Sequence, residues 1–291
     1  MLVLGFPEYL PQAQRLAAAL NVQLQEVSLH QFPDGESLLR LPVDLPEHIV
    51  ICRSLNQPND KLIELLLCAK TAREQGVKRL TLVAPYLCYM RQDIANQPGE
   101  AVSQRIIGKM LADIFDDVIT VDPHLHRISR LNQAIPIDNA ISLTATEEIA
   151  RFLQQKFSHA VLLGPDSESE QWVAAIAKEI GFDYSVAEKI RLGDTQVEMT
   201  LADHDFQHKT VVIIDDMAST GRTLARATTL LYAAGVVEVY AVITHPLFCG
   251  DAEAHILQSG VKEVWSTDSI THASASIHLH ILLAQAVRDI L

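Results

Sequence analysis

The run Val211-Val-Ile-Ile-Asp-Asp-Met-Ala-Ser-Thr-Gly-Arg-Thr-Leu224 constrains this chain most. Four β-branched apolar residues in succession predict a strand buried on both faces, as in a parallel sheet. Ligands of such sheets gather at the carboxyl ends of the strands, where Asp215 and Asp216 fall. Ser219, Thr220, Gly221 and Thr223 then open a predicted helix. There backbone N–H groups, hydroxyls and the macrodipole favour a phosphate, and glycine lets the backbone approach it closely. Acids, hydroxyls and glycine in this order read as a sugar-phosphate cradle, with the two carboxylates on ribose hydroxyls or on a Mg²⁺-bound ligand. The plainer reading is an ordinary strand-turn-helix with an acidic pair and Ser/Thr caps.

Short apolar runs alternate with amphipathic stretches along the whole chain, the pattern of βαβ units in mostly parallel sheets. In the first half, strands are expected at 2–5, 24–29, 49–53, 80–84 and 118–121, with helices at 11–20, 61–75 and 103–114. In the second half, strands are expected at 160–163, 184–188, 210–214, 237–244 and 263–265. Helices at 146–156, 170–180, 222–234, 252–259 and 277–291 fill the gaps. A seam near 138–143 divides the chain into domains 1–142 and 143–291, each of ordinary domain size. The layout suggests tandem copies of one α/β unit.

The formal charge is −13, from 23 basic and 36 acidic residues. That argues against nucleic acid or an anionic membrane as the main partner, since both require concentrated Lys and Arg. A small anionic substrate is still compatible, because helix N-termini, Mg²⁺ and a few placed cations can bind it. Cys52, Cys68, Cys88 and Cys249 are dispersed without a Cys-x-x-Cys pair and read as reduced thiols. No apolar run approaches the roughly 20 residues that span a bilayer, and the start of the chain lacks signal-peptide features. A cytoplasmic location is therefore expected.

Two further segments carry chemistry. Phe32-Pro-Asp-Gly-Glu36 is a turn from which an aromatic ring and two acids protrude. Pro85-Tyr-Leu-Cys-Tyr-Met-Arg-Gln-Asp93 follows a predicted strand and places Arg91, Gln92 and Asp93 at a sheet's carboxyl edge, where arginine suits a phosphate. Together with Val121-Asp-Pro-His124, Gly164-Pro-Asp166, Glu188-Lys-x-Arg191 and the Asp-Asp loop, these stand in the order and spacing of phosphoribosyl pyrophosphate (PRPP) synthetases. Asn59-Asp60-x-x-x-Glu64 and Thr244-His-Pro-x-Phe248 extend the match, so the resemblance covers nearly the whole chain. The Gly99–Ser103 segment, Glu188-Lys-x-Arg191, Gln196-Val-Glu198 and Ser219-Thr-Gly resemble archaeal-type members most.

The resemblance implies two tandem type I phosphoribosyltransferase-like α/β domains, each a mostly parallel sheet flanked by helices. It also implies Mg-dependent transfer of pyrophosphate from ATP to O1 of ribose 5-phosphate, giving PRPP and AMP for nucleotide biosynthesis. Phe32, Asp34 and Glu36 would meet adenine across a subunit interface, which makes the protein at least a homodimer. Arg91, Gln92 and Asp93 would contact the rest of ATP. Asp215, Asp216, Ser219, Thr220, Gly221 and Thr223 would hold ribose 5-phosphate. His124 and Asp166 would approach the metal, with Lys189, Arg191 and His124 catalytic. Lys189 and Arg191 begin a polar stretch that suits a lid over the transferring phosphates.

Two departures from the family pattern stand out. After Pro165-Asp166 the family usually places small residues, whereas this chain has Ser167-Glu-Ser-Glu170. Acids facing the site would repel pyrophosphate, whereas acids in the next helix's first turn would be favoured by its dipole. The arginines that follow Arg-Gln-Asp in many bacterial members are also missing. The alternatives are a catalytically weak, nucleotide-binding regulator and a PRPP-consuming phosphoribosyltransferase. His278-x-His280 and His124-x-His126 lack partners at zinc-ligand spacing.

Overall fold

The computed structural model describes residues 1–125, 127–191, 197–202 and 204–291, with 189–191 and 197–198 as backbone. The chain divides into two compact units. One comprises residues 1–144, 269–271 and 279–291, and the other residues 145–268 and 272–278.

In the first unit, β1 (Leu2–Gly5), α1 (Leu10–Leu20) and β2 (Leu24–Glu26) open the fold, followed by an antiparallel hairpin of β3 (Ser28–Gln31) and β4 (Ser37–Arg40). Next come β5 (His48–Cys52), α2 (Pro58–Glu74), β6 (Arg79–Val83), α3 (Ser103–Ile114), β7 (Asp117–Val121) and β8 (Asn139–Leu143). The sheet runs β2-β1-β5-β6-β7-β8, all parallel. Pro58 starts α2 where its missing N–H costs nothing. α1 stops at Asn21, whose left-handed backbone returns its N–H to the last turn. Leu4, Ile49, Ile51, Leu80 and Leu82 are fully buried with Leu65 and Cys68 of α2 and Leu111 of α3. Each such side chain contributes on the order of 1.5–3 kcal/mol.

The second unit repeats the plan. β9 (Val161–Gly164) follows α4 (Thr146–Lys156), then come α5 (Glu170–Ile180), β10 (Asp183–Val186) and an antiparallel hairpin of β11 (Glu188–Arg191) and β12 (Val197–Thr200). β13 (Thr210–Ala218), α6 (Arg222–Ala233), β14 (Glu238–Pro246), α7 (Ala252–Gln258), β15 (Val264–Thr267) and β16 (Ala275–Ile277) complete it. The parallel order is β10-β9-β13-β14-β15-β16, strand for strand that of the first sheet.

Several expected boundaries move. The expected strand 24–29 splits, because Val27 gives its N–H to Gly5 and the chain then leaves the sheet into β3. The expected strand 184–188 divides likewise between β10 and β11. Residues 139–143, expected at the seam, form the edge strand β8. The closing helix α8 (His280–Asp289), expected in the second half, belongs to the first unit, where Arg288 donates to the Ala19 carbonyl of α1. All four cysteines are free. Burial pushes the Cys68 and Cys88 thiols up to about 12. Among the described residues no helix is long and apolar enough to cross a membrane.

Candidate active site

In the second sheet the strand order reverses between β9 and β13, since β10 lies on one side and β14 to β16 on the other. Crevices at such switch points, at the carboxyl ends of the strands, are where open α/β sheets bind ligands. Pairing of β13 with β9 runs from Val211 to Ile213, whereas its pairing with β14 continues to Ala218. Asp215 and Asp216 therefore lie within a strand that outruns its neighbour, and not in a loop beyond it as their spacing suggested.

Burial pushes the Asp215 carboxyl well up, and the charges of Asp216 and Asp166 push it further. Asp216 is buried and its N–H donates to Asp215 Oδ1 at 3.0 Å. Asp166, after β9, closes its own turn: Oδ1 accepts from the N–H of Glu168 at 3.1 Å and of Ser169 at 3.3 Å. Ser169 Oγ donates to the Asp166 carbonyl at 2.5 Å. Ser167, Glu168 and Glu170 are exposed, with Glu170 in the first turn of α5, where the macrodipole favours an acid.

The hydroxyl loop is braced from the loop that follows β14. The N–H of Phe248 donates to the Ala218 carbonyl at 2.9 Å and that of Cys249 to the Ser219 carbonyl at 2.7 Å. Gly221 caps α6 with φ 72°. A Cβ there would stand 2.7 Å from the Ala252 carbonyl oxygen and 2.8 Å from Ile256 Cγ1, so the position requires glycine on two counts. Ser219 and Thr223 are half-buried and Thr220 is exposed. No side chain caps α6, so no cap competes for the amides of its first turn.

In the first unit, Arg91, Gln92 and Asp93 follow β6 and His124 follows β7, so both groups reach the same sheet edge. Arg91 is exposed, Gln92 and His124 are half-buried, and Asp93 is buried. The loop is pinned at three points. Tyr89, at φ 61°, donates its hydroxyl to Asn59 Oδ1 at 2.5 Å. Gln104 donates its buried amide to the Met90 carbonyl at 3.0 Å and its N–H to the Gln92 carbonyl at 3.2 Å. Asp93 is ion-paired with Arg127 at 2.6 Å. Gln104 and Arg127 lie outside the motifs, and Tyr89 lies inside one whose spacing does not disclose its bond to Asn59, because each acts through a contact distant in sequence.

Phe32, Asp34 and Glu36 form the exposed tip between β3 and β4, where the Glu36 N–H donates to Asp34 Oδ1 at 3.2 Å. Beside the tip a cleft of about 370 Å³ is lined by Gly35, Glu36, Ser37, Asp60, Ile63 and Leu67. Lys189 and Arg191 lie on β11, opposite Met199 and Val197 of β12. Their side chains, with residues 192–196, lie outside the described residues, as does His126. Among the described residues no three His, Cys, Asp or Glu side chains are placed to enclose a metal unaided.

Comparison with known proteins assigns the family. Residues 1–114 match the profile of the N-terminal domain of ribose phosphate pyrophosphokinase, and residues 139–271 that of the phosphoribosyl transferase domain. A ribose-phosphate pyrophosphokinase of Methanopyrus kandleri is 32% identical over 100% of this chain and 99% of that protein. Those of Saccharolobus solfataricus and Pyrococcus furiosus are 35% and 33% identical over 88% and 85% of this chain, and 89% and 87% of their own. The crystal structure of phosphoribosylpyrophosphate synthetase from Mycobacterium smegmatis shares the fold, with a TM-score of 0.83 at 22% identity over 99% of this chain and 98% of that one. The chain thus belongs to the ribose-phosphate pyrophosphokinase family of enzymes, with archaeal members among its relatives.

Proposed function

We propose that this enzyme transfers the pyrophosphoryl group of ATP to O1 of ribose 5-phosphate, yielding PRPP and AMP. The observation that carries the reading is the crevice of the second unit. There Asp215 and the buried Asp216 stand in the overhanging end of β13 beside a hydroxyl loop and an uncapped helix start, and burial with two acidic neighbours raises the Asp215 carboxyl. Such a site is electrostatically incomplete until hydroxyls and a cation arrive. The 5-phosphate fits Ser219 to Thr223, and the ribose hydroxyls fit Asp215 and Asp216.

In the reaction O1 bonds to the β-phosphorus as the bond to the AMP oxygen breaks, and the O1 proton leaves to solvent or to a nearby base. The protein's share is positioning and charge stabilisation. Arg91, Gln92 and His124 would orient ATP, and Lys189 and Arg191 would neutralise the pyrophosphoryl oxygens as their hairpin closes. Mg²⁺ fits the available donors, because it takes hard oxygens and binds through one or two carboxylates together with substrate phosphates. Asp166 in the second unit and His124 in the first are the residues that would approach it, and its contribution would be charge neutralisation on the phosphates. Phe32, Asp34 and Glu36 would meet the adenine of a neighbouring chain, so the working form is at least a dimer in the cytoplasm. The test is ³¹P NMR of the purified chain with Mg-ATP and ribose 5-phosphate. AMP and a pyrophosphorylated sugar appearing together would support the reading, and ATP left intact would refute it.

A further inference from the structure

Arg127 shares the loop after β7 with His124, and its Nη1 donates to Asp93 Oδ1 at 2.6 Å. The two ends of this pair differ sharply: the Asp93 side chain is 5% exposed and that of Arg127 is 56% exposed. A buried carboxylate is costly without a counter-charge, so Asp93 at this depth both requires the guanidinium and aims it. One bond to Asp93 uses one of arginine's five N–H donors. The side chain that carries the remaining donors is more than half exposed and follows β7, at the carboxyl edge of the first sheet that also carries the exposed Arg91 and the half-buried His124. A planar fork backed by a fixed carboxylate matches two oxygens of one phosphate, a geometry that a flexible lysine does not reproduce. The backing is rigid, because the loop holding Asp93 is pinned by Tyr89 and by the buried Gln104.

We infer that Arg127 is a further polyphosphate-binding residue of the first unit, and that Asp93 is its positioning residue and does not itself touch nucleotide. The inference rests on the reading of this edge as the ATP side. It reassigns Asp93, which the motif alone placed against ATP, and adds a residue that no motif includes.

The test pairs equilibrium binding of Mg-ATP and of inorganic tripolyphosphate to the full chain with steady-state kinetics. Arg127→Ala and Asp93→Asn should each weaken both ligands about tenfold, the effect of losing one charge-assisted contact. The KM for ATP should rise in parallel, while the KM for ribose 5-phosphate stays within about twofold. Arg127→Lys should recover only part of the loss. Arg127→Gln at the same exposed position guards against a folding defect. Unchanged affinity for both ligands in folded Arg127→Ala and Arg127→Gln would overturn the inference. A folded Asp93→Asn that binds ATP as the parent does would overturn the positioning role. If the parent binds ATP but forms no PRPP, the reaction assigned above fails while the binding series still judges Arg127.

Discussion

The two sheets have one topology and opposite electrostatics at the same place. Leu4 pairs with Ile51 in the first sheet as Leu163 pairs with Ile213 in the second. Two residues past those partners stand Arg53 and Asp215. The Arg53 guanidinium is buried at 2% exposure and bonded to Glu8 Oε1 at 2.7 Å and Glu64 Oε2 at 2.5 Å. It also lies 3.8 Å from the centre of the Phe6 ring. Ser37 donates to the other Glu64 oxygen at 2.9 Å, and Lys61 bonds the Ser54 carbonyl and Asn56 at 2.8 Å each. Burial lowers the Lys61 amine to about 8. The first crevice thus supplies its own cations. The second has three acids, and at Asp215 they discourage ionisation, so its cation must come from outside. What separates the two crevices is whether the charge closes within the chain.

The largest effect expected from breaking this contrast is on the self-neutralised side. Arg53→Ala strands the buried Glu64 carboxylate in the first unit, while Glu8 keeps Lys61 at 3.8 Å, and should cost about 3–5 kcal/mol of stability. Denaturant unfolding measures it, and a loss below about 1 kcal/mol would mean that water already screens the cluster. The hairpins that follow β2 and β10 offer the next contrast. Lys189→Ala should lower kcat by about 10²–10³ with little change in KM, as for a contact made in the transition state. The equivalent hairpin tip, altered as Phe32→Ala, should instead raise the KM for ATP.

A smaller effect of opposite sign is expected at Asp215. Its native pKa lies above the unfolded value, so the stability it contributes is complete below the ordinary carboxylate range. That contribution is lost as pH rises through the native pKa. Asp215→Asn should therefore raise the melting temperature of the ligand-free protein at neutral pH by a few degrees, while turnover disappears. The smallest effect is at Glu168, whose exposure in the turn before α5 predicts less than a twofold change in either KM for Glu168→Gln. A large gain in ribose 5-phosphate affinity in that variant would place the acid in the site.

Strands with uninterrupted apolar runs, such as β1, β5, β9 and β13, were legible because burial on both faces leaves no other residue pattern. The hairpins were not, since Val27 and Ala187 are apolar and hide the point where the chain leaves each sheet. β8 and β16 escaped as short edge strands of mixed polarity, and α8 was counted with its sequence neighbours because periodicity carries no information about where a helix docks. The cradle of Asp215 to Thr223 was readable because one strand-turn-helix carries all of it. Arg53 was not, because an arginine at a strand end looks the same whether solvated or buried against Glu8 and Glu64. The Asp93–Arg127 pair spans 34 residues and exists only through the packing of two loops.

The central claim is that the second crevice is completed by its ligand. Calorimetry of ribose 5-phosphate binding with Mg²⁺, run in slightly acidic buffers of different ionisation enthalpy, tests it most directly. Binding should release more protons than the sugar's own 5-phosphate supplies, and Asp215→Asn should lose that excess and the part of the tightening with pH that accompanies it. Equal proton release and equal affinity in the parent and in Asp215→Asn would contradict the account.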